Sequence, residues 1–309
     1  MREDFYYDSC DGKTKIHGVK WVPDGKVRGV IQIAHGVTEY ILRYDRFAKY
    51  MTERGFVVIG NDHLGHGESV LNKDNVMYFG TDGSYEDAVG DLYTCYLKGS
   101  GEYDNVPYCL IGFSLGSFLV RDLLIEYPGL VDGAIIMGTG DISSIELKLA
   151  RMAVWNEGRH VDDNKTSPGI RKLTFGTYNK KFKPNRTDYD WLCADNKQLD
   201  EYIADVHRGG DFTVGLFREM LNSMQVACFK KNIEKMSKER PILLLSGGDD
   251  PVGNFGKGVI KTYNKFKQAK IASVDMKIYP GMRHDILHEA KYLEVYNDIV
   301  DFINTKIVK

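Results

Sequence analysis

Short, wholly apolar runs alternate along most of this chain with segments that are apolar at every third or fourth position. Near the start, DFYYDS and KIHGVKWV flank a turn at Asp11-Gly12 and predict a hairpin. PDG then leads into the apolar run VRGVIQIAH. RYDRFAKYMTERG places Tyr44, Phe47, Ala48 and Met51 at helical spacing and stops at Gly55. FVVIGND, YCLIGF, VDGAIIMGTG, PILLLSGG and VDMKIYPG read as strands. SYEDAVGDLYTCYL, SLGSFLVRDLLIEYPG, KGVIKTYNKFKQA and HEAKYLEVYNDIVDFINTKI read as helices. Strands that are apolar on every residue are buried on both faces. The pattern therefore predicts an α/β fold: a mostly parallel sheet flanked by helices, with the hairpin added at one edge.

The alternation breaks over residues 141–235. ELKLARMAVWNEG and TVGLFREMLNSMQ are helical there, but the aromatics and methionines between and around them exceed what one crossover can pack. The expectation is a helical cap inserted over the carboxyl edge of the sheet, where open α/β sheets bind ligands. Residues 1–140 and 236–309 then form the core. Leu147, Leu149, Met152, Val154, Trp155, Leu173, Phe175 and Tyr178 are candidates either to line an acyl site or to pack the cap down. The plainer alternative is an elaborated structural crossover.

Composition narrows the field. The 309 residues carry a formal net charge of −2 without a long single-sign block, which argues against nucleic acid as a partner. No window approaches the ~18 apolar residues of a membrane span, and MREDFYYDSCDGKTK lacks the apolar stretch of a secretory signal. Cys10, Cys95, Cys109, Cys193 and Cys228 are scattered, read as free thiols, and place the chain in the cytoplasm. Monomer and homodimer both remain open.

CLIGFSLGSFLV puts one serine between two glycines where a strand turns into a helix. Gly112-Phe113-Ser114-Leu115-Gly116 fits the G-x-S-x-G elbow, in which a sharp turn presents the serine at a helix N-terminus and glycines remove the clashes. A Gly-rich turn with an incidental serine is the other reading. A serine hydroxyl needs a base, and the base an orienting acid, in the order Ser, acid, His on this fold. PILLLSGGDDPVG supplies Asp249 and Asp250, of which turn geometry favours Asp250. VDMKIYPGMRHDILHE supplies His284; His288 is expected a turn inside the last helix, on its surface. The backbone N–H groups of Leu115 and of Val37, in His35-Gly36-Val37 after an apolar strand, are the candidate oxyanion donors. NDHLGHGES holds Asp62, His63 and His66, and reads as a loop with Asp62 and His66 bonded to backbone; no metal is expected.

Together, AHGVTEYILRYDRFAKYMTERGFVVIGNDHLGHGES, GFSLGS, GGDDPVG and YPGMRHDILHE resemble the monoacylglycerol lipase and lysophospholipase branch of the α/β-hydrolases, often described as serine aminopeptidase S33. FGTYNKKF and TDYDWLCAD extend the resemblance into the cap. It implies Ser114, Asp250 and His284 as a triad, Val37 and Leu115 as oxyanion donors, and no cofactor. The family commonly reads His-Gly-x-x-Glu-His-Ser near the alcohol end of its substrate. Glu39 matches and is the candidate substrate-binding residue, whereas Tyr40 and Ile41 depart from the pattern. The expected activity is hydrolysis of a small-molecule acyl ester (a monoacylglycerol, lysophospholipid or short acyl ester) through an acyl-enzyme. Acyl transfer or perhydrolysis on the same triad, and ligand binding without turnover, are the alternatives.

Overall fold

The computed structural model describes residues 1–80 and 83–308. Its centre is one eight-stranded sheet. The strands are β1 (Arg2–Asp8), β2 (Lys15–Trp21), β3 (Gly29–Ala34), β4 (Phe56–Asn61), β5 (Tyr108–Phe113), β6 (Gly133–Met137), β7 (Ile242–Gly247) and β8 (Val274–Tyr279). They lie in the spatial order β1-β2-β4-β3-β5-β6-β7-β8. β1 with β2 and β2 with β4 pair antiparallel, and every pair from β4 to β8 is parallel. The fold is that of the α/β-hydrolases, with the predicted hairpin at its edge.

The helices are α1 (Asp45–Thr52), α2 (Tyr85–Glu102), α3 (Leu115–Glu126), α4 (Ser144–Glu157), α5 (Pro168–Thr174), α6 (Asn196–Ala204), α7 (Val214–Cys228), α8 (Lys230–Ile233), α9 (Lys257–Gln268) and α10 (Tyr292–Phe302). Side-chain alternation along the strands assigns them to layers. Val30 and Ala34 of β3 belong to the same apolar layer as Leu92 of α2, Leu119 and Leu123 of α3, and Phe266 of α9. Ile31 and Ile33 point the other way, to Phe47 and Met51 of α1 and Val295 and Ile299 of α10. Each such aliphatic or aromatic side chain, fully withdrawn from water, contributes about 1.5–3 kcal/mol.

Helix starts follow their caps. Ser84 with Asp87 and Ser143 with Glu146 form capping boxes at α2 and α4. The last helix differs from expectation: it begins at Tyr292 rather than at His288. The reason is Glu289, whose carboxylate turns back to accept from Arg283 N–H at 2.8 Å and so keeps residues 283–289 as a loop.

Between β6 and β7 run α4 to α8. This insertion meets the rest of the molecule through α7, whose Leu216, Phe217 and Leu221 join the main core cluster with residues of α3. It also has a small cluster of its own, Trp191, Leu192, Cys193, Leu199 and Tyr202, with Phe175 and Tyr178 packed on it.

Candidate active site

The elbow is a consequence of close backbone approach. Ser114 sits between β5 and α3 at φ 52°, ψ −115°, a conformation that costs a non-glycine residue about 1–3 kcal/mol. A Cβ on Gly112 would lie 2.5 Å from the Gly116 carbonyl oxygen, and one on Gly116 would lie 2.1 Å from the Ala34 oxygen. Only glycine fits either place. The Gly116 N–H is spent on the His35 carbonyl at 3.1 Å, and the Ser117 hydroxyl donates to the Ser114 carbonyl at 2.6 Å. α3 starts at Leu115, directly after Ser114, and the Ser117 N–H also goes to the Ser114 carbonyl, at 3.0 Å.

Asp250 follows β7 and His284 follows β8, so the three candidate groups come from loops after three parallel strands. The Asp250 carboxylate is fully buried; Oδ2 meets His284 Nδ1 at 3.0 Å and Oδ1 accepts from Val252 N–H at 2.8 Å. Asp249 instead turns outward to Lys181 Nζ at 3.0 Å. Burial pulls the His284 pKa down, but the charge and hydrogen bond of Asp250 outweigh it and raise the imidazole above its ordinary value. The ring is held between Phe113 and Trp191, at centroid distances of 4.9 and 5.4 Å.

Ser114, Val37 and Leu115 border one cavity of about 190 Å³. Its walls are mostly apolar, with Phe118 from α3, Phe175, Tyr178 and Trp191, and Phe217 and Met220 from α7 among them; Asp141 and Thr174 are polar exceptions. Three larger grooves touch none of the candidate catalytic residues: two, of about 450 and 420 Å³, run along α4, and one of about 560 Å³ lies between the start of α4 and α9. Of the expected lining residues, Phe175 and Tyr178 border the cavity. Leu147 and Val154 are buried outside that lining, and Leu149, Met152 and Trp155 face out at 57–65% exposure. The Leu173 side chain lies outside the described residues. Sequence reasoning missed the α7 face and Trp191; the 3–4 spacing of Phe217, Met220, Leu221 and Met224 carried that signal.

Glu39 is placed otherwise than expected. It does not border the cavity. Its Oε2 accepts from Gly36 N–H at 3.0 Å and from the Tyr44 hydroxyl at 2.9 Å, and Oε1 accepts from Arg43 Nε at 3.1 Å. A carboxylate held by these three bonds braces the loop that carries Val37. Arg43 also reaches Asp285 Oδ2 at 2.8 Å, and Asp285 Oδ1 meets His288 Nδ1 at 2.8 Å. Burial would raise the Asp285 pKa, but His288 and Arg43 hold it well below the usual carboxylate range. His288 therefore belongs to this loop network and not to a helix surface. Tyr40 donates to Asp205 Oδ2 at 2.9 Å, just past α6, and Ile41 is core, its methyl filling the space above Gly60.

NDHLGHGES folds as a loop brace. Asp62 accepts from Ile41 N–H at 2.7 Å and Glu68 N–H at 2.9 Å, and pairs with His17 Nδ1 at 2.8 Å. His66 Nδ1 donates to the Leu64 carbonyl at 3.0 Å, and His63 Nε2 to the His35 carbonyl at 3.0 Å. Burial depresses all three histidines His35, His63 and His66, with His63 brought to about 3 by burial and the neighbouring His66.

Known proteins share this organisation. The chain is 26% identical to a thermostable carboxyl esterase from Bacillus coagulans, solved in complex with glycerol, at a TM-score of 0.90 over 99% of this chain and 98% of that one. It is 23% identical to the monoacylglycerol lipase of Mycolicibacterium smegmatis, covering 92% of this chain and 90% of the relative. With the monoglyceride lipase of Rattus norvegicus it shares 26% identity over 92% of this chain and 84% of that one. Residues 25–291 match the Hydrolase_4 family, serine aminopeptidase S33, and the chain belongs to that family of α/β-hydrolases.

Proposed function

We propose that this protein hydrolyses carboxylic esters of short to medium acyl chains, monoacylglycerols among them, by a serine mechanism. The observation that carries the reading is an apolar cavity that opens on Ser114 and on both candidate oxyanion donors. Its volume of about 190 Å³ is below the ~300–1,000 Å³ of sites for drug-sized ligands, which suits a modest acyl chain. The likeness to carboxyl esterase and monoacylglycerol lipases supports it.

His284 takes the Ser114 proton through Nε2 while Asp250 fixes Nδ1–H and stabilises the imidazolium. Ser114 attacks the carbonyl carbon, and the oxyanion rests on the N–H groups of Val37 and Leu115. His284 then protonates the leaving alcohol, and water repeats both steps to release the acid. The insertion α4–α8 acts as the cap over this site and supplies its apolar walls. Peptidase action would need a free carboxylate for a terminal ammonium. Among the described residues the cavity is bordered by one carboxylate, Asp141, already paired with Lys265 Nζ at 2.5 Å.

A series of p-nitrophenyl esters from acetate to decanoate tests the reading. Each methylene buried by the wall gains up to ~0.8 kcal/mol, roughly fourfold in kcat/KM, until the cavity is full. Equal turnover of acetate and octanoate would remove the acyl site. Failure of Ser114 to react with a fluorophosphonate would remove the serine mechanism.

A further inference from the structure

The insertion meets the histidine loop along a second line, which runs on from the cavity wall at Trp191. Residues 190–194 run beside residues 283–289. His284 N–H and Asp285 N–H approach the carbonyls of Trp191 at 3.5 Å and Leu192 at 2.8 Å. The Arg283 guanidinium donates to the carbonyls of Asp190 and Cys193, the latter at 3.1 Å, and lies 4.3 Å over the Phe182 ring. Cys193 Sγ reaches the His288 carbonyl at 3.4 Å. Glu289, 3% exposed, closes the line: its Oε1 alone accepts from Arg283 N–H at 2.8 Å and Ala194 N–H at 2.9 Å.

We infer that this seam holds the catalytic histidine in place, and that Glu289 and Arg283 are positioning residues for it. The inference rests on the reading of His284 as the base. The physical argument concerns degrees of freedom. The bond from Asp250 to Nδ1 fixes how the imidazole is rotated, but not where its backbone stands. That backbone is irregular between β8 and α10, so neither strand nor helix pairs its N–H groups. Buried N–H groups require partners, and here the insertion provides them. The loop also passes so near β7 that a Cβ on Gly247 would lie 2.0 Å from the Arg283 oxygen. From the other side, Arg43 grips Asp285. Removing Glu289 frees one wall of that vice, and a misplacement of about 1 Å at a reacting group costs about 10²-fold.

The test uses acetate ester, which makes little use of the acyl wall. Glu289→Leu is expected to lower kcat about 10- to 100-fold with KM within about twofold. Glu289→Gln keeps an acceptor at Oε1 and is expected to restore most of the loss. Arg283→Met is expected to lose about 10-fold in kcat. The downfield proton resonance of His284 Nδ1–H is expected in the wild type and in Glu289→Gln, and broadened in Glu289→Leu. A folded Glu289→Leu with wild-type kcat, or one that changes KM alone, overturns the seam. If Glu289→Leu does not fold, Arg283→Met with the same readouts decides. Turnover surviving in Ser114→Ala would instead overturn the serine reading and leave the seam as a contact only.

Discussion

The elbow and the insertion wall the same cavity by opposite means. At the elbow, backbone meets backbone: Gly116 packs where a single methyl would lie 2.1 Å from the Ala34 oxygen, and the geometry leaves one solution. In the wall, side chains from α3, α7 and the segment around Phe175–Trp191 share one surface, and no single one defines it. A site built from backbone fails all at once; one built from side chains changes by degrees. On the proposed function, the chemistry resides in the first and the choice of substrate in the second.

The largest expected effect lies at the elbow. Ser114→Ala should lower ester turnover on the order of 10⁴-fold or more with an unchanged melting temperature, since the triad acts as a unit. Should more than a tenth of the activity survive, the contrast between the two regions collapses. Next comes the acid. Asp250→Asn should cost about 10⁴ in kcat by favouring the wrong imidazole tautomer. Asp249→Asn, which only loosens the bond to Lys181, should stay within a few-fold. Reversed effects in steady-state kinetics would move the acid by one residue.

The wall should respond in a graded way. Met220→Ala removes part of the lining and should cost medium-chain esters about 10-fold in kcat/KM while sparing acetate. Equal losses for both would make α7 part of the chemistry. The pH profile of kcat/KM should fall on the acid side, through an apparent pKa above the ordinary ~6.5 of histidine, because His284 works neutral and its pKa is raised.

Stability gives the smallest and most diffuse test. His35, His63 and His66 bind protons more weakly folded than unfolded, so their contribution is full above about 6.5 and is lost as pH falls toward the His63 value of about 3. His17 opposes them. Burial lowers it, but Asp62 and Asp4 raise it to about 9. Its contribution is present below about 6.5 and is lost as pH rises through about 9. Thermal melts from pH 4 to 10 should therefore decline at both ends, and His17→Gln should flatten the alkaline decline alone.

The same contrast explains what could be read from the amino acids. β3, β5 and β7 are mostly apolar, buried at every position and followed by turn residues, so both their burial and the loops at their ends are legible in the sequence. Ser114 and Asp250 stand in the turns after β5 and β7, and His284 in the turn after β8. Glu39 misled because a motif carries residue identity but not orientation; its partners Tyr44, Arg43 and Gly36 lie within a few residues, yet only the fold turns them inward. Trp155 and Phe175 look alike as apolar letters, and one is exposed while the other borders the cavity. Helical spacing tells which side chains share a face, not what that face meets. His288 was misplaced for a related reason: Glu289 reads as a helix former, and its long-range bond to Ala194 N–H has no local signature.

The strand order also fixes when the enzyme comes into being. The candidate nucleophile stands after β5, the candidate acid after β7 and the candidate base after β8, and β7 and β8 follow the whole α4–α8 segment in the chain. On the proposed serine mechanism, a nascent chain holds its serine before the residues that would activate it have been made. Parallel strands joined across such distances close slowly. On the same mechanism, ester cleavage waits for completion of the last loop. Activity is in this sense a clock of folding, and its onset after dilution from denaturant should coincide with the docking of β8, not with collapse of the core.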